Sequence, residues 1–220
     1  MRERMTQSTH SKARIVRPDN VPRIPWINGA GYTRQIGSRR NAALGDGFIW
    51  RLSLADLNGD STFSSLPGID RIFTLASSGH VELSINGQAH QLGFGRTAEF
   101  PGDADVHIRM VDQGPHLGLN LMTNRTAAVG AVTTKRLDGP VLLDPRSGVV
   151  AVTVLDGSAS LSSRRRLDPL ATLILDSGAE ELFARNCLLA IATVRNNSRA
   201  TSGQYGRANS PGLRHAAGVD

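Results

Sequence analysis

The stretch from Phe48 to Asp56, FIWRLSLAD, alternates strictly and so reads as a β-strand. Phe48, Trp50, Leu52 and Leu54 fall on one side; Ile49, Arg51, Ser53 and Ala55 fall on the other. A strand with Trp and leucines on one face and Arg and Ser on the other serves two unlike environments. Turn markers follow at Asn58-Gly59 and Pro67-Gly68, and a second strand opens on Asp70-Arg71. Two arginines, a serine and an aspartate therefore lie on or beside adjacent strands. That is how a small polar pocket is built inside a β-barrel.

The same period runs on down the chain. Val81, Leu83 and Ile85 share a face, Asn86-Gly87 turns the chain, and Ala89 to Leu92 returns; Asn-Gly between alternating runs signals a hairpin. Thr97 to Phe100 and the set Val106, Ile108 and Met110 are further strands, joined by Pro101-Gly102-Asp103. In His116 to Thr123, Leu117, Leu119 and Leu121 stand against Asn120 and Met122, which directs Asn120 toward the barrel interior. Nearer the N-terminus, Ala13 to Pro18 reads as a strand, and a tight glycine turn leads into another at Tyr32 to Ile36.

From about Gly148 the order repeats: a strand from Val149 to Leu155, a second hairpin turn at Asp156-Gly157, then strands at Leu170 to Asp176, Leu182 to Arg185 and Leu188 to Val194. SINGQAHQL lines up with VLDGSASL, and FPGDADVHIR with LDSGAEELFAR. A weak repeat of this kind implies two similar β-barrels or sandwiches fused in one all-β chain with little helix. The organisation expected is a disordered leader (1–12), an N-terminal barrel carrying the pocket (13–137), a C-terminal half with N-terminal strands available to complete it (138–195), and a disordered tail (196–220).

At 220 residues and 23.5 kDa the chain is long enough for a substantial core. No apolar run approaches the ~20 residues that cross a bilayer, and the N-terminus lacks the apolar segment of a signal peptide. A cytoplasmic protein without a membrane partner is expected. The net charge of +6 invites a nucleic-acid reading. Aromatics are only 5%, too few for a stacking platform, and no helix-turn-helix or finger spacing is present, so nucleic acid is not the expected partner. Much of the excess charge lies in the two ends and in the run Arg164-Arg165-Arg166, read as a solvated loop. The single cysteine, Cys187 in CLLAIATV, allows neither an internal disulfide nor a Cys-based metal site and reads as buried.

The repeat unit resembles a cupin half-barrel, and the pair a bicupin. Gly95, Pro101 and Gly102-Asp103 are spaced much like the second cupin signature, and Gly79 falls where the first one ends. The resemblance puts the usual metal ligands at Leu66, Gly68, Ile72 and Val106, all apolar here, with His107 one position out of register. His10, His80, His90, His107, His116 and His215 show no ligand spacing and read as surface or edge-strand residues. A metal-free barrel without a cofactor is expected.

A more specific likeness lies in five ordered motifs: WINGAGYTRQI from Trp26, WRLSLA from Trp50, FSSLPGIDR from Phe63, FPGD from Phe100 and LNLM from Leu119. Together these resemble the HutD/Ves-type proteins, a bicupin family associated with bacterial histidine utilisation. The resemblance implies binding of a small pathway acid such as formylglutamate and moderation of flux, with no settled catalytic activity. Gln35 stands where the family usually has Glu, Gly118 where an Asp often stands, and Ala30 where the turn has its middle or last Gly. If both acidic positions line the pocket, its potential is more positive here.

Arg51 and Arg71 are the best candidates for holding a carboxylate, since a guanidinium offers a planar fork of donors matched to it. The alternative for Arg71 is a local ion pair with Asp70 or Asp103 that braces the loop. Ser53 shares the face of Arg51; Asn28 and Thr33 flank the glycine turn and either cap backbone groups or touch a ligand. Asn120 and Trp26 complete the candidate set, Trp26 as a pocket wall or as core. Asp70 and Asp103 are the only acids in the motifs. They are the base candidates if the chain is an isomerase or hydrolase of an amino-acid derivative, although no paired carboxylates or Ser–His–Asp set emerges. The leading expectation is a sensor or flux governor that binds a small anionic metabolite and breaks no bond. Pairing of two copies through sheet edges is a further expectation.

Overall fold

The computed structural model describes residues 13–26, 29–41, 44 and 47–197. Sixteen strands follow in order: β1 (Ala13–Val16), β2 (Ile24–Pro25), β3 (Gly31–Arg40), β4 (Phe48–Leu57), β5 (Ser61–Thr62), β6 (Ile69–Leu75), β7 (His80–Ile85), β8 (Gln88–Gly93), β9 (Thr97–Pro101), β10 (Val106–Met110), β11 (His116–Asn124), β12 (Ala128–Leu143), β13 (Val149–Leu161), β14 (Arg166–Leu167), β15 (Thr172–Leu175) and β16 (Glu180–Asn196). Among the described residues, helix is confined to 3-10 turns such as Pro18–Asn20 and Pro145–Ser147. The chain is all β, as its period of two requires. No helix of the described residues is long and apolar enough to cross a membrane.

Three antiparallel sheets result. The first has the order β2-β3-β4-β11-β6-β9, the second β5-β10-β7-β8, and the third β1-β15-β13-β16-β12 with β14 beside β13. The first two face each other across a core of Ala55, Leu57, Phe73 and Leu75 on one side and Val81, Leu83 and Ile108 on the other. The opposite face of the first sheet, carrying Trp50, Leu52, Leu54, Leu119 and Leu121, packs on Ala151, Ile174, Ala190 and Ala192 of the third. β4 therefore has two buried faces, and its alternation is the mark of that position. Each fully buried leucine there contributes roughly 1.5–3 kcal/mol.

The third sheet encloses a core of its own, in which Val152, Val154, Leu161, Leu167, Leu173, Leu182 and Leu189 are almost wholly buried. Its interior is filled by aliphatic side chains. Cys187 sits in this core, and burial pushes its thiol up to about 11. The first strand of the chain belongs here too, since β1 pairs with β15 from Ala13↔Leu175 to Val16↔Thr172. β12 runs unbroken across positions 137 and 138, bending at a bulge between Leu137 and Gly139. The expected boundary between positions 137 and 138 therefore falls inside a single strand of the third sheet.

The two turn dipeptides have different fates. Asn86 (φ 48°) and Gly87 (φ 80°) both adopt left-handed conformations, as a tight β7–β8 hairpin requires. Asp156-Gly157 is not a hairpin, contrary to expectation. β13 passes through it, with bulges on either side against β16. Gly157 has φ 79°, and a Cβ there would lie 2.5 Å from the Asn186 carbonyl oxygen. The neighbouring strand lies too close for any other residue, so the glycine serves a bulge rather than a turn. Likewise the segments around Leu182 and Leu188 are one strand, β16. His116 is also unlike its expected surface role: it is buried in β11, with Nδ1 3.4 Å from Ser77 Oγ and Nε2 3.2 Å from the Asp112 carbonyl oxygen.

Candidate functional site

Pairing of β4, β11 and β6 sets the candidate residues in rows. Arg51 lies opposite Met122, which lies opposite Arg71; one step along, Ser53 lies opposite Asn120, which lies opposite Phe73. Residues two apart on a strand share a face, so Arg51, Ser53, Asn120, Met122 and Arg71 all turn to the second sheet. There they line a cavity of ≈ 500 Å³. Trp26 and Thr33 also line it, and the indole Nε1 donates to Thr33 Oγ1 at 2.7 Å. Six of the sequence-derived candidates, Trp26, Thr33, Arg51, Ser53, Arg71 and Asn120, are thereby brought together. Asn28 lies outside the described residues.

The two arginines dominate the electrostatics. Arg71 is 4% exposed and has no carboxylate partner among the described residues. Its Nη2 donates to the Ser64 carbonyl oxygen at 2.7 Å, and its guanidinium lies 5.5 Å from the centre of the Phe63 ring. Burial, with the charge of Arg51 nearby, lowers its pKa from the ordinary arginine value to about 10. Arg51 Nη2 donates to Met122 Sδ at 3.1 Å, and its guanidinium lies 4.9 Å from the Phe48 ring centre. Burial lowers its pKa as well. Among the described lining residues there is no Asp, Glu or His. Arg51 Nε, Arg71 Nε and Asn120 Oδ1 are buried without a hydrogen-bond partner. Charged and polar groups left so are costly unless something pairs with them.

The two acids are placed elsewhere. Asp70 accepts from Arg125 Nε at 2.8 Å, and Arg125 Nη2 reaches Asp103 Oδ1 at 3.5 Å. All three side chains are about half exposed, on the outside of the loop that walls the cavity. Neither acid lines the cavity, and neither pairs with Arg71. Arg125 also donates its backbone N–H to the Gly68 carbonyl oxygen at 2.9 Å, while Leu66 N–H donates to Gly102 O at 2.7 Å. The wall formed by Phe63, Ser64 and Leu66 is thus tied down from outside by Arg125 and from inside by Arg71. Sequence reasoning did not single out Arg125, Phe63 or Met122 for the site. For Met122 the signal was available, since it shares the parity of Asn120.

A family model described as HutD matches residues 19–191. The chain belongs to the HutD family. Among curated relatives, an "Uncharacterized 21.2 kDa protein in hutC 3'region" of Pseudomonas putida is 35% identical over 103 residues, covering 46% of this chain and 53% of the relative. "Protein Ves" of Citrobacter koseri is 37% identical over 101 residues, covering 46% and 52%. The chain spans about half the length of these two curated relatives. Among solved structures, HutD from Pseudomonas fluorescens SBW25 superposes with a TM-score of 0.71 at 23% identity, covering 84% of this chain and all of that one. A Cupin 2 conserved barrel domain protein from Leptotrichia buccalis gives 0.53 at 13% identity, covering 74% and 88%. These likenesses show a cupin-type fold.

In this HutD-family chain neither position where an acid is missing lines the cavity. The Gln35 side chain is exposed and donates to Ser38 Oγ at 3.3 Å, and it is not among the lining residues. A Cβ at Gly118 would collide with the Phe73 ring, so that position has no room for a side chain. The positive potential comes instead from Arg51 and Arg71. The residues at the positions where a cupin holds its metal do not fit one. Leu66 lines the cavity, Gly68 turns the chain with φ 77°, and Ile72 and Val106 are buried in apolar clusters. No group of three or more His, Cys, Asp or Glu that could hold an ion occurs among the described residues.

Proposed function

We propose that this HutD-family chain binds a small carboxylate in the cavity beneath β4, β11 and β6, and acts as a sensor or flux governor in histidine or related amino-acid breakdown. One observation carries the reading: two guanidiniums converge on a cavity that offers neither of them a carboxylate among the described residues. A bound carboxylate supplies what both lack, in the geometry a guanidinium favours. The absence of an Asp, Glu or His from the described lining favours binding over turnover, because a general acid or base must be within hydrogen-bond reach of the reacting group. The link to histidine breakdown rests on family membership and on the relative named for its place beside hutC.

Thermal shift with formylglutamate, glutamate, urocanate and formate tests this. At a hundredfold excess over its dissociation constant a ligand stabilises by about 2.7 kcal/mol. Stabilisation by a panel member without turnover is the expected result, and Arg51→Ala abolishes it. Turnover of any member refutes the sensor, and an unchanged shift in Arg51→Ala refutes the site.

A further inference from the structure

Met122 stands between the two cations of the cavity. In the ladder of β4, β11 and β6 it lies directly opposite both Arg51 and Arg71, and side chains so paired start about 4.5–5.5 Å apart. Its Sδ accepts from Arg51 Nη2 at 3.1 Å. A thioether is a weak acceptor for so strong a donor. Arg51 Nε and Arg71 Nε, both buried, have no hydrogen-bond partner. Met122 is itself buried in β11, yet it lines the ≈ 500 Å³ cavity, which has ample room for a molecule the size of hydrogen peroxide.

We infer that Met122 is an oxidation site for peroxide and that its sulfoxide closes the anion site. The inference rests on the anion reading given above and adds a means of switching that site off. In the step, a sulfur lone pair attacks one oxygen of hydrogen peroxide, and the O–O bond breaks with its electron pair on the other oxygen. The transferred oxygen gives up its proton to that leaving oxygen, so the products are methionine sulfoxide and water. The sulfur is oxidised by one electron pair and the peroxide is reduced by it. The sulfoxide oxygen is a far stronger acceptor than the thioether, and it arises in the row where two guanidiniums lack one. It takes hydrogen bonds that a bound carboxylate would otherwise accept, so the anion has to displace it. Oxidation of a core methionine ordinarily disrupts packing by setting a polar atom among apolar ones. Here the new oxygen has charged donors beside it, which removes that cost. Cys187 competes poorly for the oxidant: burial in the third sheet pushes its thiol up to about 11, away from the reactive thiolate.

The full chain is treated with dilute hydrogen peroxide, and peptide mass spectrometry locates the added oxygen. Met110, partly buried against the core between the first two sheets, is the internal comparison. Isothermal titration with formylglutamate, glutamate, urocanate and formate follows, before and after oxidation. We expect Met122 to gain one oxygen, the tightest-binding carboxylate to weaken at least tenfold, and methionine sulfoxide reductases to restore it. The ligand-free melting temperature of the oxidised protein should stay level or rise. In Met122→Leu, whatever its own affinity, peroxide should change binding less than twofold. Met122 left intact while Met110 reacts, unchanged affinity once Met122 is oxidised, or an equal loss in Met122→Leu overturns the switch and leaves the anion site standing. A fall in the ligand-free melting temperature overturns the claim that the arginines receive the new oxygen. Failure of the unoxidised protein to bind any of the four carboxylates overturns the anion reading, and the switch with it. The comparison before and after oxidation uses the unaltered chain, so it decides the matter even if the variant does not fold.

Discussion

Replacing Arg71 with Met separates a residue kept for binding from one kept for folding. Arg71 is 4% exposed, and its pKa falls from the ordinary arginine value to about 10 through burial and the charge of Arg51. At about 1.4 kcal/mol per tenfold change, the folded state carries a penalty on the order of 3 kcal/mol for keeping this side chain charged. Because the folded pKa lies below the unfolded one, the unfolded chain holds the proton more tightly. The penalty is complete at every pH below about 10, and it is relieved only as the pH rises from there toward the ordinary arginine value. Against it stands the Nη2 bond to the Ser64 carbonyl oxygen, worth about 1.5–3 kcal/mol for a charged donor, and the contact with Phe63, worth about 0.5–1 kcal/mol. Ser64 is exposed, so its carbonyl oxygen recovers water when the guanidinium is gone. Methionine fills much of the same volume without the charge. The terms nearly cancel: Arg71→Met should unfold in urea within about 1 kcal/mol of the parent, a change of ~2–4 °C in melting temperature. The same variant should lose all stabilisation by carboxylates. A loss above ~2 kcal/mol without ligand would make Arg71 a structural brace, and a retained ligand shift would remove it from the site.

Three other perturbations probe the frame around the cavity. Asp56 accepts from buried Arg34 at 2.8 Å, so Asp56→Asn strands a charge and should cost about 3–5 kcal/mol in urea unfolding; a cost under ~1 kcal/mol would show that solvent reaches Arg34. Arg125→Gln releases Asp70 and Asp103, and should speed amide exchange at Leu66 and weaken carboxylate binding several-fold with little change in melting temperature; unchanged exchange at Leu66 would show that the wall holds without it. Gly118→Ala drives a methyl into the ring of fully buried Phe73 and should destabilise by about 1–3 kcal/mol; a neutral result would mean that the ring moves freely.

The features legible in the sequence were those decided by parity and by local turn chemistry. Arg51, Ser53 and Asn120 were placed on one interior face because alternation leaves no other arrangement once Trp50 and Leu52 are buried. Asn86-Gly87 was legible because a two-residue turn determines its own conformation. Asp156-Gly157 carries the same local signal, but whether it turns or bulges is decided by β16, a strand from about 30 residues further along the chain. Arg125 was hidden for a similar reason. It stands in a turn with no periodic pattern, and its partners Asp70 and Asp103 are 55 and 22 residues away. The acids themselves were visible, but only tertiary contact shows that they hold the wall from outside.

β4 can be edited only in certain ways. Its Trp50 face fits the second barrel and its Arg51 face fits the cavity, so substitutions can retune either side independently. A one-residue insertion or deletion within the strand exchanges the two sides beyond it. That would drive tryptophan into the anion site and a guanidinium into the joint between the barrels. A surface loop such as the one around Arg164 can absorb a change of length that β4 cannot, while ligand preference is free to drift one side chain at a time.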